Sequence, residues 1–250
     1  MKGLSSYICA MFSSIIKYCI ILLPLLFGSC LHDKEEAVLK TPTTIEQLGE
    51  LLFHDSILSR ENQISCASCH KPQFAFADNV AFSFGVDSVM GGRNTPSSMN
   101  MSARNFYFHD GRSETLEDQA GGPMENPIEM DIPLSEVVRK LNNHKQYRTF
   151  FVSLFGEPAT KTNLVAAIAA YERTLETSDT PFDNYNSGKD TTQFSASAKR
   201  GQKIFNVKGK CFDCHFGPDF TNDFFRNIGI FNGKDLNDSG RFEITLSGLS

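Results

Sequence analysis

Ser65-Cys66-Ala67-Ser68-Cys69-His70, echoed by Lys210-Cys211-Phe212-Asp213-Cys214-His215, is the stretch from which the rest of the chain can be read. On a helical turn, residues three and four apart share a face. Two thiols at that spacing can reach the two vinyl groups of one porphyrin, while the imidazole that follows turns beneath the iron. Cys66, Cys69 and His70 therefore read as a covalent haem c site with His70 as iron ligand. Cys211, Cys214 and His215 read as a second, with His215 as ligand. With 7 Cys and 6 His in 250 residues, chance supplies roughly 0.005 such motifs, so two make a strong signal. A zinc ribbon would bring its Cys pairs closer in sequence and would need no His after each. A redox Cys-x-x-Cys usually follows a strand in an α/β pattern, and none is evident here.

Around the first motif, Thr44-Ile45-Glu46-Gln47 reads as a capping box opening a short helix with Ile45, Leu48, Leu51 and Leu52 on one face. Residues 59–105 are loop-like, and a loop that long persists in a compact domain when something else organises it. Short helices are expected over 114–120, over 135–142 with Ser135 as cap, and over 145–155 with Gly156 as stop. Thr162 is the expected cap of a longer helix over 163–176 with Leu164, Ile168, Tyr171 and Leu175 on one stripe. Residues 178–194 carry no periodicity and suggest a boundary, and a helix from Ser195 to Phe205 leads into the second motif. The expected class is mainly α: two cytochrome c-like helical domains, 43–185 and 186–250, each holding one covalent haem, the second incomplete.

The first 30 residues differ from the rest. Lys2 and Lys17 are their only charges, and Ile15 to Phe27 is mostly apolar. This is the pattern of an export signal over 1–29, with an apolar run too short for a permanent span. Leu25-Leu26-Phe27-Gly28-Ser29-Cys30 looks like a lipobox, which implies lipid attachment at Cys30 and a polar tether over 30–42. A simple cleaved secretory signal is the alternative, and either places the protein in the periplasm or outer cell envelope. A net charge of −5 argues against nucleic acid and permits a basic redox partner. The 22 Phe fit aromatic core packing or packing against a large flat cofactor.

Haem proteins divide by the sixth iron position: a sixth protein ligand favours electron transfer, and an open one favours peroxide or oxygen chemistry. His54, His109, His144 and the methionines are the candidates for it, and spacing assigns none of them.

Several further segments carry a resemblance, in order from about residue 46 to 242. They are Leu48-Gly49-Glu50-Leu51-Leu52-Phe53, Gly92-Arg93-Asn94-Thr95-Pro96, Asp110-Gly111-Arg112, Leu116-Glu117-Asp118-Gln119-Ala120 and Glu125-Asn126-Pro127-Ile128-Glu129-Met130. Together with the first haem motif, they resemble the bacterial di-haem cytochrome c peroxidases and the related maturation enzymes of methylamine dehydrogenase. The resemblance implies two all-helical cytochrome domains, two covalent haems and a calcium ion between the domains. It implies hydrogen peroxide as substrate and a small cytochrome c or cupredoxin as donor, with electrons passing from the second haem to the first. Gln119 and Glu129 then stand above the first haem as catalytic residues, and Asn94 matches the side-chain calcium ligand. A carboxylate in that place can take a peroxide proton and return it, and an amide can orient the peroxide. Dimers are common in the family, so a homodimer is possible. The alternatives are a non-enzymatic di-haem electron carrier and an oxidase of a partner protein or organic substrate.

Three departures from the resembling pattern matter. Many members carry a His after the Gly of the loop before Arg93-Asn94, and it blocks the first haem until reduction. This chain has Gly85-Val86 there, which implies an open first haem. His109 stands where the family places Trp, and the chain has none. Family members continue past the equivalent of Ser250 with helices that supply the sixth ligand of the second haem, so truncation is the expectation here.

Overall fold

The computed structural model describes residues 38–245. The mainly α expectation holds: these residues form helices, and β pairing among them is limited to the isolated bridges Lys71–Ala77, Phe84–Met90 and Tyr107–Ser113. No helix among them is long and apolar enough to cross a membrane. The export signal and Cys30 lie outside the described residues.

Helix α1, Ile45–His54, begins where Thr44 accepts from the Gln47 backbone N–H. The reciprocal bond of the expected capping box is displaced by one residue, because the Thr43 N–H and hydroxyl both donate to Gln47 Oε1, at 2.8 and 2.9 Å. Leu48, Leu52 and Phe53 are fully buried, while Ile45 and Leu51 are only half-buried. Each complete burial of such a side chain contributes about 1.5–3 kcal/mol.

These side chains pack against α6, Lys161–Glu172. Its cap is Thr160, two residues before the expected Thr162: Thr160 accepts from the Asn163 N–H, and the Asn163 side chain accepts from the Thr160 N–H at 2.7 Å. The helix stops at Glu172 rather than 176. Beyond it the chain tightens, with the Thr174 N–H donating to the Tyr171 carbonyl and the Leu175 N–H to that of Glu172.

Gly49 marks where α1 and α6 come closest. A Cβ there would lie 1.9 Å from the Ala167 carbonyl oxygen and 2.8 Å from Tyr171 Cβ. Backbone cannot swing aside as a side-chain tip can, so overpacking outweighs the better helix propensity of alanine. Gly49→Ala is expected to destabilise the haem-loaded protein by about 2 kcal/mol, read as a fall in Tm. An unchanged or higher Tm would show that the helices separate freely.

Helix α3, Leu116–Glu125, runs five residues past its expected end and through Pro123. Proline donates no N–H, but the helix resumes with the Asn126 N–H donating to the Gly122 carbonyl at 3.1 Å. Helix α4, Leu134–Asn143, starts after Pro133 with no side-chain cap, so Ser135 lies inside the first turn instead of capping it. Helix α5, Lys145–Phe155, has the expected bounds, with His144 as cap and Gly156 at φ 77° as stop.

Within 178–194, where no element was expected, Thr180 and Asp183 form a capping box for α7, Pro181–Asn186. Proline at the first helical position is preorganised for that start. The helix expected over 195–205 is α8, Ala196–Lys203, which Ser195 caps and which then widens into a π turn over Ile204–Lys208. Helix α9 is the short Phe242–Thr245.

Candidate haem site

The first motif folds into the single-turn helix α2, Cys66–Cys69. Ser68 Oγ accepts from the Ser65 N–H at 3.0 Å, and the His70 N–H donates to the Cys66 carbonyl at 2.9 Å. The thiols and the imidazole thus share one turn. His70 contacts the Phe76 carbonyl and the Ser98 hydroxyl, both at 2.9 Å and both through Nδ1. An N–H on Nδ1 leaves Nε2 as the ligating nitrogen, since a metal-bound histidine usually donates its other ring N–H to a neighbouring oxygen. Burial holds His70 below the usual imidazole range, which favours the neutral form that can ligate.

The second motif repeats this geometry. The His215 N–H donates to the Cys211 carbonyl at 2.9 Å, and His215 Nδ1 contacts the Phe220 carbonyl at 3.0 Å. Its surroundings are open: Phe212, Phe216, Phe220, Phe224, Ile228 and Phe231 are all exposed.

Cys66, Cys69 and His70 line a cavity of about 700 Å³, within the range of cofactor sites. Burial, and then the charge of Glu172, push the Cys66 thiol up to about 12; burial also raises Cys69. Neither thiol is activated as a free nucleophile or zinc ligand would be. Among the described residues no group of three or more His, Cys, Asp or Glu assembles a metal-ion site, so the two Cys pairs do not form a zinc centre. A paired thiol set, a neutral imidazole with a free nitrogen and a cavity of this size fit a covalent haem.

Gln119 and Glu129 line the same cavity. Gln119 comes from α3, and Glu129 from the loop that follows it. Both backbone groups of Glu129 are bonded: its N–H donates to the Asn126 carbonyl at 3.0 Å, and the Val86 N–H donates to its carbonyl at 2.8 Å. Asn126 Nδ2 also donates to Glu129 Oε1 at 2.6 Å, which leaves Oε2 as the uncommitted carboxyl oxygen. Burial raises the Glu129 carboxyl above its ordinary range, although the Asn126 bond and the Arg112 charge both pull the other way.

Asn94 is also a lining residue. Its Nδ2 donates to the Val80 carbonyl at 2.9 Å and the Ala81 carbonyl at 3.3 Å. The anchored amide keeps one side-chain oxygen available, with no carboxylate cluster beside it among the described residues. His109 lines the cavity, with Nε2 3.0 Å from the Asn94 carbonyl. His144 serves as a helix cap, and His54 Nδ1 contacts the Glu50 carbonyl at 3.0 Å; neither lines the cavity.

Ion pairs tie the first motif's surroundings to the second motif's segment. Arg93 bridges the buried Asp110 and Asp238 at 2.6 Å each, and its charge pulls the Asp238 carboxyl down to about 2. Arg104 holds Asp219 and Asp223. Arg241 Nη1 donates to the Asp110 and Gly111 carbonyls, both at 2.9 Å.

Sequence reasoning missed Ser98, Asn126 and Glu172 as site residues, although all three line the cavity. A signal for Glu172 existed: it follows Leu164 and Ile168 at intervals of four, so an acid sits on the apolar stripe of α6.

The profile of the di-haem cytochrome c peroxidase family matches residues 43–191. The methylamine utilization protein MauG of Methylophilus methylotrophus is 37% identical over 209 residues, covering 82% of this chain and 62% of that protein. The cytochrome c551 peroxidase of Pseudomonas aeruginosa is 35% identical over 243 residues, covering 89% and 70%. A crystal structure of a MauG-like protein associated with microbial copper homeostasis superposes with a TM-score of 0.71 at 27% identity, covering 82% of this chain and 66% of that one. This chain therefore spans less than two thirds of the first and third of these relatives. It belongs to the di-haem cytochrome c peroxidase family.

Proposed function

We propose that this chain reduces hydrogen peroxide to water (H2O2 + 2 e⁻ + 2 H⁺ → 2 H2O), with electrons from a small cytochrome c or cupredoxin. The observation that carries this reading is that Gln119 and Glu129 share one cavity with Cys66, Cys69 and His70. A covalent haem there would supply electron transfer and peroxide O–O cleavage. The Cys66 and Cys69 sulfurs would hold it as thioethers, and His70 Nε2 would hold its iron. Glu129 Oε2 takes a proton from one peroxide oxygen and returns it to the oxygen that leaves as water. The Gln119 amide orients the peroxide beside it. Residues 43–185 and 186–250 act as the two haem-holding domains, with electrons received at Cys211-Cys214-His215 and passed to the first site. Asn94 is the side chain that would contribute to a calcium site, and no step depends on it. Export with a lipid tether at Cys30 would place the protein in the periplasm or outer envelope, near its donor.

The test is peroxide turnover by the haem-loaded protein with a chemically reduced donor. Rapid turnover supports the reading, whereas two attached haems without turnover would favour a carrier. A second reading, oxidation of a partner protein, is favoured by the relatives named MauG. Against it stands His109 in place of the family's Trp, since imidazole is harder to oxidise than indole.

The loop at Gly85-Val86 adds a prediction. Val86 is buried at 3% exposure and offers no ligand, while the His109 Nε2 is engaged with the Asn94 carbonyl. The resting ferric first haem is expected to be high-spin or water-bound, and turnover should need no pre-reduction. A fully low-spin, bis-histidine resting spectrum would contradict this.

A further inference from the structure

Among the described residues two buried side-chain polar atoms lack a hydrogen-bond partner, Glu172 Oε2 and Asn222 Nδ2. Of these two residues only Glu172 lines the haem cavity. Its setting is unfavourable for an acid. It is 6% exposed and is the last residue of α6, at the carbonyl end of the helix, where negative charge is disfavoured. The neighbouring Arg173 is committed to Glu117 through two bonds, at 2.7 and 2.9 Å. Burial pushes the Glu172 carboxyl up to about 7 despite the opposing influence of Ser98 and Arg173. The proton chemistry assigned to Glu129 and Gln119 makes no use of it.

Ser98 connects Glu172 to the site. The Ser98 hydroxyl is 5% exposed. It faces the Glu172 carboxyl, stabilising its charge, and lies 2.9 Å from His70 Nδ1. A hydroxyl has one proton to give and two lone pairs to accept with. With Nε2 turned to the iron, Nδ1 carries the N–H. Ser98 Oγ therefore accepts from His70, which leaves its own proton free for the Glu172 carboxyl, while the Phe76 carbonyl shares the same N–H.

We propose that Glu172 is a positioning residue that acts through Ser98 on His70, strengthening the imidazole as a donor to the first haem and lowering that haem's reduction potential. A carboxylate at the end of a histidine's hydrogen-bond chain raises ligand basicity, and a more basic ligand favours the ferric state. The inference rests on Cys66-Cys69-His70 holding a haem. That role gives the buried acid a reason to stand beside the motif.

The test uses the haem-loaded full chain and its Glu172→Gln, Ser98→Ala and Ser98→Thr variants, together with the Glu172→Gln/Ser98→Ala double variant. The first haem's potential is read by a redox titration followed by electron paramagnetic resonance, and the iron–histidine stretch by resonance Raman. Glu172→Gln and Ser98→Ala are each expected to favour the ferrous first haem about tenfold, ~59 mV for one electron, and to lower the stretching frequency. The double variant should shift no further than either single one, Ser98→Thr should keep the parent potential, and the second haem should not move. If Glu172→Gln fails to fold, the Ser98 pair decides alone. An unmoved potential and stretch with both haems attached would overturn the proposal, as would additive shifts. Mass spectrometry showing no haem on Cys66 and Cys69 would overturn the site reading itself, and the proposal with it.

Discussion

Glu129→Gln is expected to lower peroxide turnover by about 10²–10⁴-fold while both haems stay attached and electron transfer from donor to protein hardly changes. The substitution keeps the side chain's shape, and its amide oxygen can still accept from Asn126 Nδ2, which now lies 2.6 Å from Oε1. What is lost is an oxygen that can take up and release a proton, so the change separates proton transfer from the geometry around it. The sign of the pH dependence follows. Burial raises the Glu129 carboxyl above the usual carboxylate range, and a base works only when ionised. Turnover of the parent should therefore fall as pH drops through that raised value, on an acid limb lying higher than an exposed glutamate would give. The limb should vanish in the variant along with the rate. A variant within a few-fold of the parent, or one that keeps the same limb, would move the proton role elsewhere and strengthen the electron-carrier alternative.

How much of this site was legible in the sequence depends on the range of the interactions that build it. The haem-binding turns are local: Cys, Cys and His lie within five residues, and their helical spacing follows from backbone geometry alone. The cap of α1 and the stop at Gly156 were readable for the same reason. Placing Gln119 and Glu129 beside Cys66 needed the whole packing of α1, α3 and α6, and only the resemblance suggested it. Errors came where two local signals competed. Thr160 and Thr162 both precede the apolar stripe of α6, and the one with Asn163 three residues on became the cap. The helix expected over 114–120 continues through Gly121, Gly122 and Pro123 to Glu125. Glu172 stood in plain sight on an apolar stripe, but only the fold shows that its stripe turns toward a cofactor cavity. The abundance of Phe proved double in meaning: Phe53 and Phe151 are core, whereas Phe84, Phe106 and Phe108 line the cavity.

Gly85→Ala is expected to cut turnover by about 10²-fold without touching any group that moves a proton. Gly85 sits at φ −94° and ψ −154°, extended backbone open to any residue, so conformational freedom is not what glycine supplies here. Space is. A Cβ at Gly85 would lie 2.2 Å from the Ile128 carbonyl oxygen, 2.5 Å from that of Glu129 and 2.7 Å from Glu129 Cα. Ordinary contact would require these backbone atoms to retreat by roughly 1 Å, and a misplacement of that size is what costs a catalytic group its alignment. The retreat would also strain the 2.8 Å bond from the Val86 N–H to the Glu129 carbonyl, one of the two backbone bonds of Glu129. The glycine that precedes Val86 thus also sets where the Glu129 carboxylate stands. Haem content should be unchanged, because Cys66, Cys69 and His70 are held by their own turn. Gly201→Ala, where a Cβ would meet nothing within 4 Å, serves as the control and should leave turnover intact. If Gly85→Ala turned over peroxide as fast as the parent, then either the loop yields without moving its carboxylate or Glu129 takes no part in turnover. The pH profile of that variant would tell the two apart, since a Glu129 still at work keeps its acid limb.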